Sequence, residues 1–294
     1  MKAAVLGKPI AHSLSPVLHR AAHRALGLDG WTYELVECDE PGLAAYVESR
    51  GPEWAGLSLT MPLKRTVLPL LDHVDHLAAA TGGANTVVFR PDGRHGYNTD
   101  VRGMVDALAE TGAPVLASTV LASTVLASTG PGGVTILGAG ATACSALAAV
   151  GELGATVVDV VVRDPSRAGG LLATADRLGM KARLRPWAEL GGDAHAPDLL
   201  ISTVPAGAAD DYAERIRLTR HAPRVLLDVV YHPWPTSLAR AAAKADSGAI
   251  VVSGYAMLLH QAAAQVELMT GKPAPVAAMR EAGKRELARR ARTR

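Results

Sequence analysis

Short aliphatic or β-branched runs alternate with alanine-rich stretches along almost the whole chain: AAVLG, TYELVEC, GLSLT, NTVVFR, VTILGAG, ATVVDVVVR, DLLISTV, RVLLDVVY and AIVVSG. Such alternation predicts an α/β fold with mainly parallel sheets, because a parallel neighbour needs a crossover long enough to hold a helix. The pattern occurs twice, once before about residue 100 and again from 134 to about 252, so two α/β domains are expected in 294 residues. Two helical stretches, 255–270 and 275–292, follow the last strand and are expected to pack back on the first domain.

Composition narrows the function. With 49% hydrophobic and 20% charged residues the chain is an ordinary globular protein, which excludes disorder and fibres. Its net charge is only +2, and no stretch has the Lys/Arg density needed to neutralise a phosphate backbone; nucleic acid is not an expected partner. The basic tail, 280–294, reads as the polar face of a terminal helix. Cys38 and Cys144 lack CxxC or histidine spacing, so a reducing, cytoplasmic setting is expected rather than disulfides or zinc. In MKAAVLGKPIAHS, Gly7 and Lys8 break the apolar run too soon for a signal-peptide core or a membrane span. One phenylalanine and four tryptophans leave the core to Ala, Val, Leu and Ile. A five-residue repeat, LASTV at 116–120 and 121–125 with LAST at 126–129, matches no solenoid period. It reads as a duplication in a surface connection and as the most aggregation-prone window if exposed.

The strand VTIL (134–137) runs into Gly138, Ala139, Gly140, Ala141, Thr142 and Ala143 and then a helix, a GxGxxA turn in its required setting. Gly138 permits the tight turn, Gly140 lets backbone approach a pyrophosphate, and Ala143 allows close helix packing, while the helix N-terminus favours an anion. The next strand ends at Arg163 and Asp164, where the ribose of a dinucleotide is read. A guanidinium pairs with a 2′-phosphate and favours NADP; an acid favours NAD, unless Asp164 merely starts the turn before the next helix.

The first half places polar residues in loops. In HSLSP (12–16), Ser15 reads as a helix N-cap ahead of Pro16, which leaves Ser13 unexplained. LTMPLK (59–64) puts Thr60 and Lys64 beyond a strand's carboxyl end, where open α/β sheets bind ligands. Asn85 opens a strand and Asp100, in YNTD, precedes a helix. Taken singly, Lys64 reads as a surface lysine and Asp100 as an N-cap. His12, His19 and His23 lie on or beside one helix without a carboxylate cluster and read as surface or packing residues, so no metal is expected.

HSLSP, LTMPLK, GANT, YNTD, GAGATA, DVVYHPWPT and GYAMLLHQA, in that order over essentially the whole chain, closely resemble the shikimate dehydrogenase family. The resemblance implies NADP-dependent interconversion of 3-dehydroshikimate and shikimate. It also implies a substrate domain, 1–103 plus 254–294, a Rossmann-type NADP-binding domain, 104–253, and an active site in the cleft between them. Glycines at the crossings near 101–103 and 253–254 would suit a hinge. Position by position, it implies that Ser13 and Ser15, helped by Tyr231, bind the substrate carboxylate, and that Thr60, Asn85 and Gln261 hold the ring hydroxyls. It also implies that Lys64 and Asp100 help to hold the ring hydroxyls and the reacting oxygen, and a lysine with Asp100 as its partner would suit delivery of the proton to that oxygen. Gly138, Ala139, Gly140, Ala141 and Arg163 would hold the pyrophosphate and adenosine phosphate, and Thr203, Val204, Gly254 and Met257 the nicotinamide end. The chain departs from the family at Ser58 and Ser202, each in place of a usual Asn, at Asp164, and at Ala141 in place of a second glycine. The rival readings are a quinate/shikimate dehydrogenase using NAD and a non-catalytic shikimate-binding homologue. The expected partner is a small molecule, and the expected assembly a monomer or homodimer.

Overall fold

The computed structural model describes residues 1–112, 133–189 and 196–292. The LASTV repeat lies outside the described residues. The chain divides into two compact units, Met1–Gly103 with Leu258–Arg294, and Met104–Met257. No helix among the described residues is long and apolar enough to cross a membrane.

The first unit holds a six-stranded sheet in the order β2-β1-β3-β5-β6-β4. Its strands are β1 (Lys2–Gly7), β2 (Thr32–Glu37), β3 (Trp54–Leu59), β4 (His73–Val74), β5 (Thr86–Arg90) and β6 (Gly93–Tyr97). Strand β1 runs parallel to β2 and β3, whereas β5 is antiparallel to both β3 and β6. Strand β4 is also parallel to β6, so the sheet is mainly parallel, as the alternation suggested, with one antiparallel strand, β5, inserted between β3 and β6. The Pro91-Asp92 turn pairs Arg90 with Gly93 and folds GRHGY back on β5 as a hairpin strand. That strand has no β-branched residue, and at its Gly96 a Cβ would collide with the Leu71 side chain. Helices α1 (Ser15–Ala25), α2 (Glu40–Glu48), α3 (Leu63–Thr66), α4 (His76–Thr81) and α5 (Thr99–Ala109) connect the strands or follow them. Leu6, Leu57, Leu59, Leu63, Val67 and Val87 form one fully packed face of the core, and Ala3, Val5, Ile10 and Tyr33 pack together in a second cluster.

The second unit holds β7 (Val134–Leu137), β8 (Val157–Val162), β9 (Lys181–Pro186), β10 (Leu199–Ser202), β11 (Val225–Asp228) and β12 (Ile250–Ser253) in the order β12-β11-β10-β7-β8-β9. Every pairing is parallel. Counted from β9, the strands come third, second, first, fourth, fifth and sixth, which is the doubly wound dinucleotide-binding order with its switch point between β7 and β10. Helices α6 (Ala141–Glu152), α7 (Gly169–Arg177), α8 (Asp210–Thr219) and α9 (Ser237–Ala245) complete the unit.

The chain then enters α10 (Gly254–Thr270) and α11 (Val276–Arg292). From Gly254 to Val266 the residues of α10 are buried or nearly so on every side, as a helix of Ala, Leu and Val requires. Helix α11 packs on α1 and its Arg290 donates to the His12 carbonyl at 2.6 Å. Both crossings between units fall inside helices, α5 and α10, and Gly103 is a buried helical residue.

Candidate active site

Lys64 and Asp100 meet inside the first unit. Strand β3 ends at Leu59, Thr60 follows half-buried, and the turn through Met61 and Pro62 leads into α3. Gly7, at the end of β1, makes this turn possible: a Cβ there would collide with the Thr60 methyl and lie 2.9 Å from the Met61 carbonyl. The Lys64 carbonyl accepts from Ala84 N–H at 2.9 Å, which ties α3 to the residue before Asn85. Lys64 Nζ lies 2.5 Å from Asp100 Oδ2, with the two side chains only 13% and 6% exposed. A lysine in such a place is not a surface lysine.

Asp100 is not the N-cap of α5 either. The helix starts one residue earlier, at Thr99, and Asn98 Oδ1 accepts from the Asp100 N–H at 3.1 Å. With Asn98 doing the capping, both Asp100 oxygens are free for other side chains: Oδ2 takes Lys64 and Oδ1 takes Asn85 Nδ2 at 2.8 Å. A buried carboxylate is stable only when so satisfied. The Asn85 amide is oriented by what surrounds its oxygen. Oδ1 accepts from Thr99 N–H at 2.8 Å, Thr99 Oγ1 at 3.1 Å and Thr86 Oγ1 at 2.8 Å. The amide NH₂ must then face Asp100 and Gln261 Oε1, 3.5 Å away.

Behind this group lies a layer that sequence reasoning missed. Gln265 Nε2 donates to Thr86 Oγ1 at 3.0 Å and reaches the Asn85 carbonyl at 3.4 Å. Its Oε1 accepts from Ser58 Oγ at 2.8 Å, and Ser58 in turn accepts from Tyr33 at 2.7 Å. Ser58, which replaces a usual Asn, does act as a donor here. The available signal was a second glutamine one turn after Gln261 on an otherwise apolar helix. His19 completes the layer, 3.2 Å from Gln265 Oε1 and stacked on Tyr33 at 4.0 Å. Burial drives the His19 pKa down to about 3 and that of His23 to about 4, so both are neutral packing residues.

At the start of α1, Ser15 is not the N-cap that the local sequence suggests; that position is Leu14, with no side-chain cap. Ser15 is the first helical residue, and Ser13 Oγ accepts its N–H at 3.2 Å. Val17 and Leu18 donate to the Leu14 carbonyl, and Pro16 has no N–H. The serine hydroxyls, not the helix backbone, are the groups left to hold an anion at this end.

In the second unit, Gly138 follows β7 at φ +102°, a conformation that favours glycine, and a Cβ there would lie 2.8 Å from Thr203 Oγ1. Thr203 Oγ1 donates to the Leu137 carbonyl at 2.6 Å, so the ends of β7 and β10 are fastened at the switch point. Val204 packs partly buried beside them, and Ala139 is half-buried in the turn. Gly140 precedes α6 with no side-chain cap and open space at its Cβ position, and Ala141 begins the helix. These residues fit a dinucleotide: a bare helix N-terminus and an uncovered glycine leave room for a pyrophosphate. Arg163, exposed after β8, donates to the Ala208 carbonyl at 2.6 Å and lies 5.3 Å from the Trp187 ring centroid. Asp164 is occupied locally, accepting from Ser166 N–H at 3.0 Å and Ser166 Oγ at 2.6 Å, the turn-starting role.

Tyr231 is half-buried in the loop after β11. That loop hangs on Asp228, whose carboxylate accepts from Val230 N–H at 3.2 Å and Thr236 Oγ1 at 2.7 Å; burial raises its pKa. Gly254 is obligatory, since a Cβ would strike the Val229 carbonyl, and Met257 is buried one turn further along α10. The structure thus joins Lys64, Asp100, Asn85 and Gln261 within the first unit, with Thr60, Ser13 and Ser15 in the same unit. It places Gly138, Ala139, Gly140, Ala141, Arg163, Thr203, Val204, Tyr231, Gly254 and Met257 in the second.

Residues 5–87 match the family model described as the shikimate dehydrogenase substrate binding domain, and residues 254–282 match the shikimate 5′-dehydrogenase C-terminal domain. The shikimate dehydrogenase (NADP(+)) of Methanothermobacter thermautotrophicus is 36% identical over 97% of this chain and 96% of its own length. The chain belongs to the shikimate dehydrogenase family. Among solved structures, the shikimate dehydrogenase of Mycobacterium tuberculosis is 42% identical with a TM-score of 0.80, covering 97% of this chain and 98% of that one. The shikimate 5-dehydrogenase of Thermus thermophilus in complex with NADP(H) and shikimate is 32% identical with a TM-score of 0.78, covering 97% and 99%.

Proposed function

We propose that the chain catalyses the reversible NADP-dependent interconversion of 3-dehydroshikimate and shikimate, with Lys64 as the proton-transfer group. The observation that carries this reading is the buried ion pair of Lys64 with Asp100, itself held by Asn85. The chemistry NADPH supplies when bound is the hydride that reduces a ketone carbon. The protein's share is the proton. Lys64 Nζ donates to the ring oxygen as negative charge develops there, while Asp100 fixes the direction of the ammonium group.

In the same reading, Asn85, Gln261 and Thr60 bind ring hydroxyls, and Ser13, Ser15 and Tyr231 take the carboxylate. Gly138, Ala139, Gly140 and Ala141 hold the pyrophosphate, and Arg163 the adenosine phosphate. Thr203, Val204, Gly254 and Met257 serve the nicotinamide end. Residues 1–103 and 254–294 are then the substrate domain, and 104–253 the NADP domain. Preference for NADP over NAD is supported by Asp164, whose carboxylate is engaged by Ser166 rather than presented to a ribose. A cytoplasmic setting is supported by Cys38 and Cys144, which are buried and not joined in a disulfide.

The test is the initial rate of shikimate-dependent absorbance increase at about 340 nm, the reduced-nicotinamide band, with NADP and separately with NAD. A strong NADP preference is expected. Equal or better use of NAD would move the assignment to the quinate/shikimate branch. No rate with either, alongside intact shikimate binding, would make the chain a binding homologue.

A further inference from the structure

We propose that His73, Asp92 and His95 form a binding site for one divalent transition ion of the zinc class, separate from the dehydrogenase machinery. Each side chain offers one ligand atom, and these atoms all lie within 4.8 Å of one another. His95 Nε2 is 2.9 Å from Asp92 Oδ1 and His73 Nε2 is 4.0 Å from Asp92 Oδ2, so one carboxylate faces both rings. The imidazoles themselves are stacked, with centroids 4.4 Å apart.

The backbone sets this arrangement. Strands β4 and β6 pair in parallel register with His73 opposite His95, and Asp92 is the second residue of the turn from β5 to β6. Both flanks are braced. Asp72 accepts from Arg94 N–H at 2.8 Å and Arg94 Nε at 3.0 Å. On the other side, Asp75 N–H donates to the Gly96 carbonyl at 3.0 Å, and its carboxylate caps α4 through Ala78 N–H at 2.8 Å. Three donors on a fixed frame lose little freedom when an ion binds.

The donor set selects the ion. Two imidazoles and one carboxylate suit zinc and its neighbours, whereas calcium and magnesium take oxygen ligands. Tetrahedral donors at roughly 2.0–2.2 Å from zinc stand about 3.3–3.6 Å apart, so His73, 4.0 Å from the carboxylate, must turn inward about its broad χ2 and give up the stacking, while His95, 2.9 Å from Asp92, must draw back slightly. His73 is exposed and gives up one contact by turning, that of its Nε2 with the Asp92 carbonyl at 3.3 Å, while His95 is 14% exposed and already aimed at Asp92. Water completes the coordination. The bound ion fastens the two-residue edge strand β4 to the β5–β6 hairpin and leaves Lys64 and Asp100 untouched.

The experiment uses the full chain without a purification tag, stripped by chelator, and titrated with zinc by calorimetry and with cobalt by visible absorbance. One ion per chain is expected. His73→Ala, Asp92→Asn and His95→Gln should each weaken binding at least as much as the ~10–100-fold lost with an outer-shell partner. All three should keep wild-type shikimate turnover, which certifies their fold. Zinc should raise the melting temperature of the wild type and not that of His95→Gln. Binding that is equally tight in the three variants, or that is weak with several ions per chain, overturns the proposal.

Discussion

At the residue scale, the buried pair of Lys64 and Asp100 makes the sharpest prediction. Removing a general acid–base group lowers the rate by about 10²–10⁴-fold, so Lys64→Ala should lose that factor in kcat and keep KM for shikimate within a few-fold. An equal loss in both would make Lys64 a binding residue instead. Gln265 is the complementary case: it is given no substrate contact of its own, yet joins Ser58, His19, Thr86 and the proposed substrate residue Asn85. Gln265→Leu leaves buried hydroxyls without their partner, which costs about 1–3 kcal/mol, measurable as a lower urea midpoint. An unchanged midpoint would show that the layer contributes nothing. Lys64, Asp100, Asn85 and Gln261 were legible because the motifs that carry them are short and come in a fixed order along the chain. Gln265, Thr99, Thr86 and Tyr33 were not, because each has an ordinary local explanation, and the contact of Gln265 with Asn85 spans 180 residues. Taken singly, Asp100 reads as a cap for the same reason: local sequence does not show that Asn98 takes that role.

At the element scale, strand β1 and helix α1 each give a test. Gly7 lets β1 pass beneath the Thr60–Met61 turn, so Gly7→Ala must displace that turn. Overpacking of this kind costs about 1–3 kcal/mol, and the displaced Lys64 loop should lower kcat; a variant with wild-type stability and rate would refute the contact. On α1, His19 and His23 are neutral when folded, with pKa values near 3 and near 4, but titrate near 6.5 in the unfolded chain. The unfolded chain therefore binds more protons below about pH 6.5, and stability falls as the pH drops toward those folded values. Each histidine contributes a slope approaching 1.4 kcal/mol per pH unit in that window. His19→Gln should remove about one proton from the slope of urea-unfolding free energy between roughly pH 6 and 5; an unaltered slope would contradict its neutral burial. Elements with strong periodicity, such as β7, β8 and β11, were legible from their Val, Ile and Leu runs. Strands β4, β6 and β9 were not, for HV, GRHGY and KARLRP lack that signature and become strands through pairing with neighbours.

At the scale of the whole molecule, α5 and α10 each serve both units. Helix α5 gives Asp100 to the first and the buried Met104 and Leu108 to the second; α10 gives Tyr255 and Met257 to the second and Leu259 to the first. Unfolding either unit alone would break two helices that the other needs, so thermal unfolding should be a single transition. A ligand of the second unit should then move the whole melt. NADP at about one hundred times its dissociation constant adds about 2.7 kcal/mol, and the transition should rise without splitting. If Arg163 holds the 2′-phosphate as proposed, Arg163→Ala removes a charge-assisted partner and weakens NADP by about tenfold or more, so at the same concentration the gain falls to about 1.4 kcal/mol or less. The shift produced by NAD, which lacks that phosphate, should be unchanged in the variant. An equal NADP shift in wild type and Arg163→Ala would remove Arg163 from the cofactor site. Two transitions, with only one of them responding to NADP, would show instead that the shared helices do not couple the units.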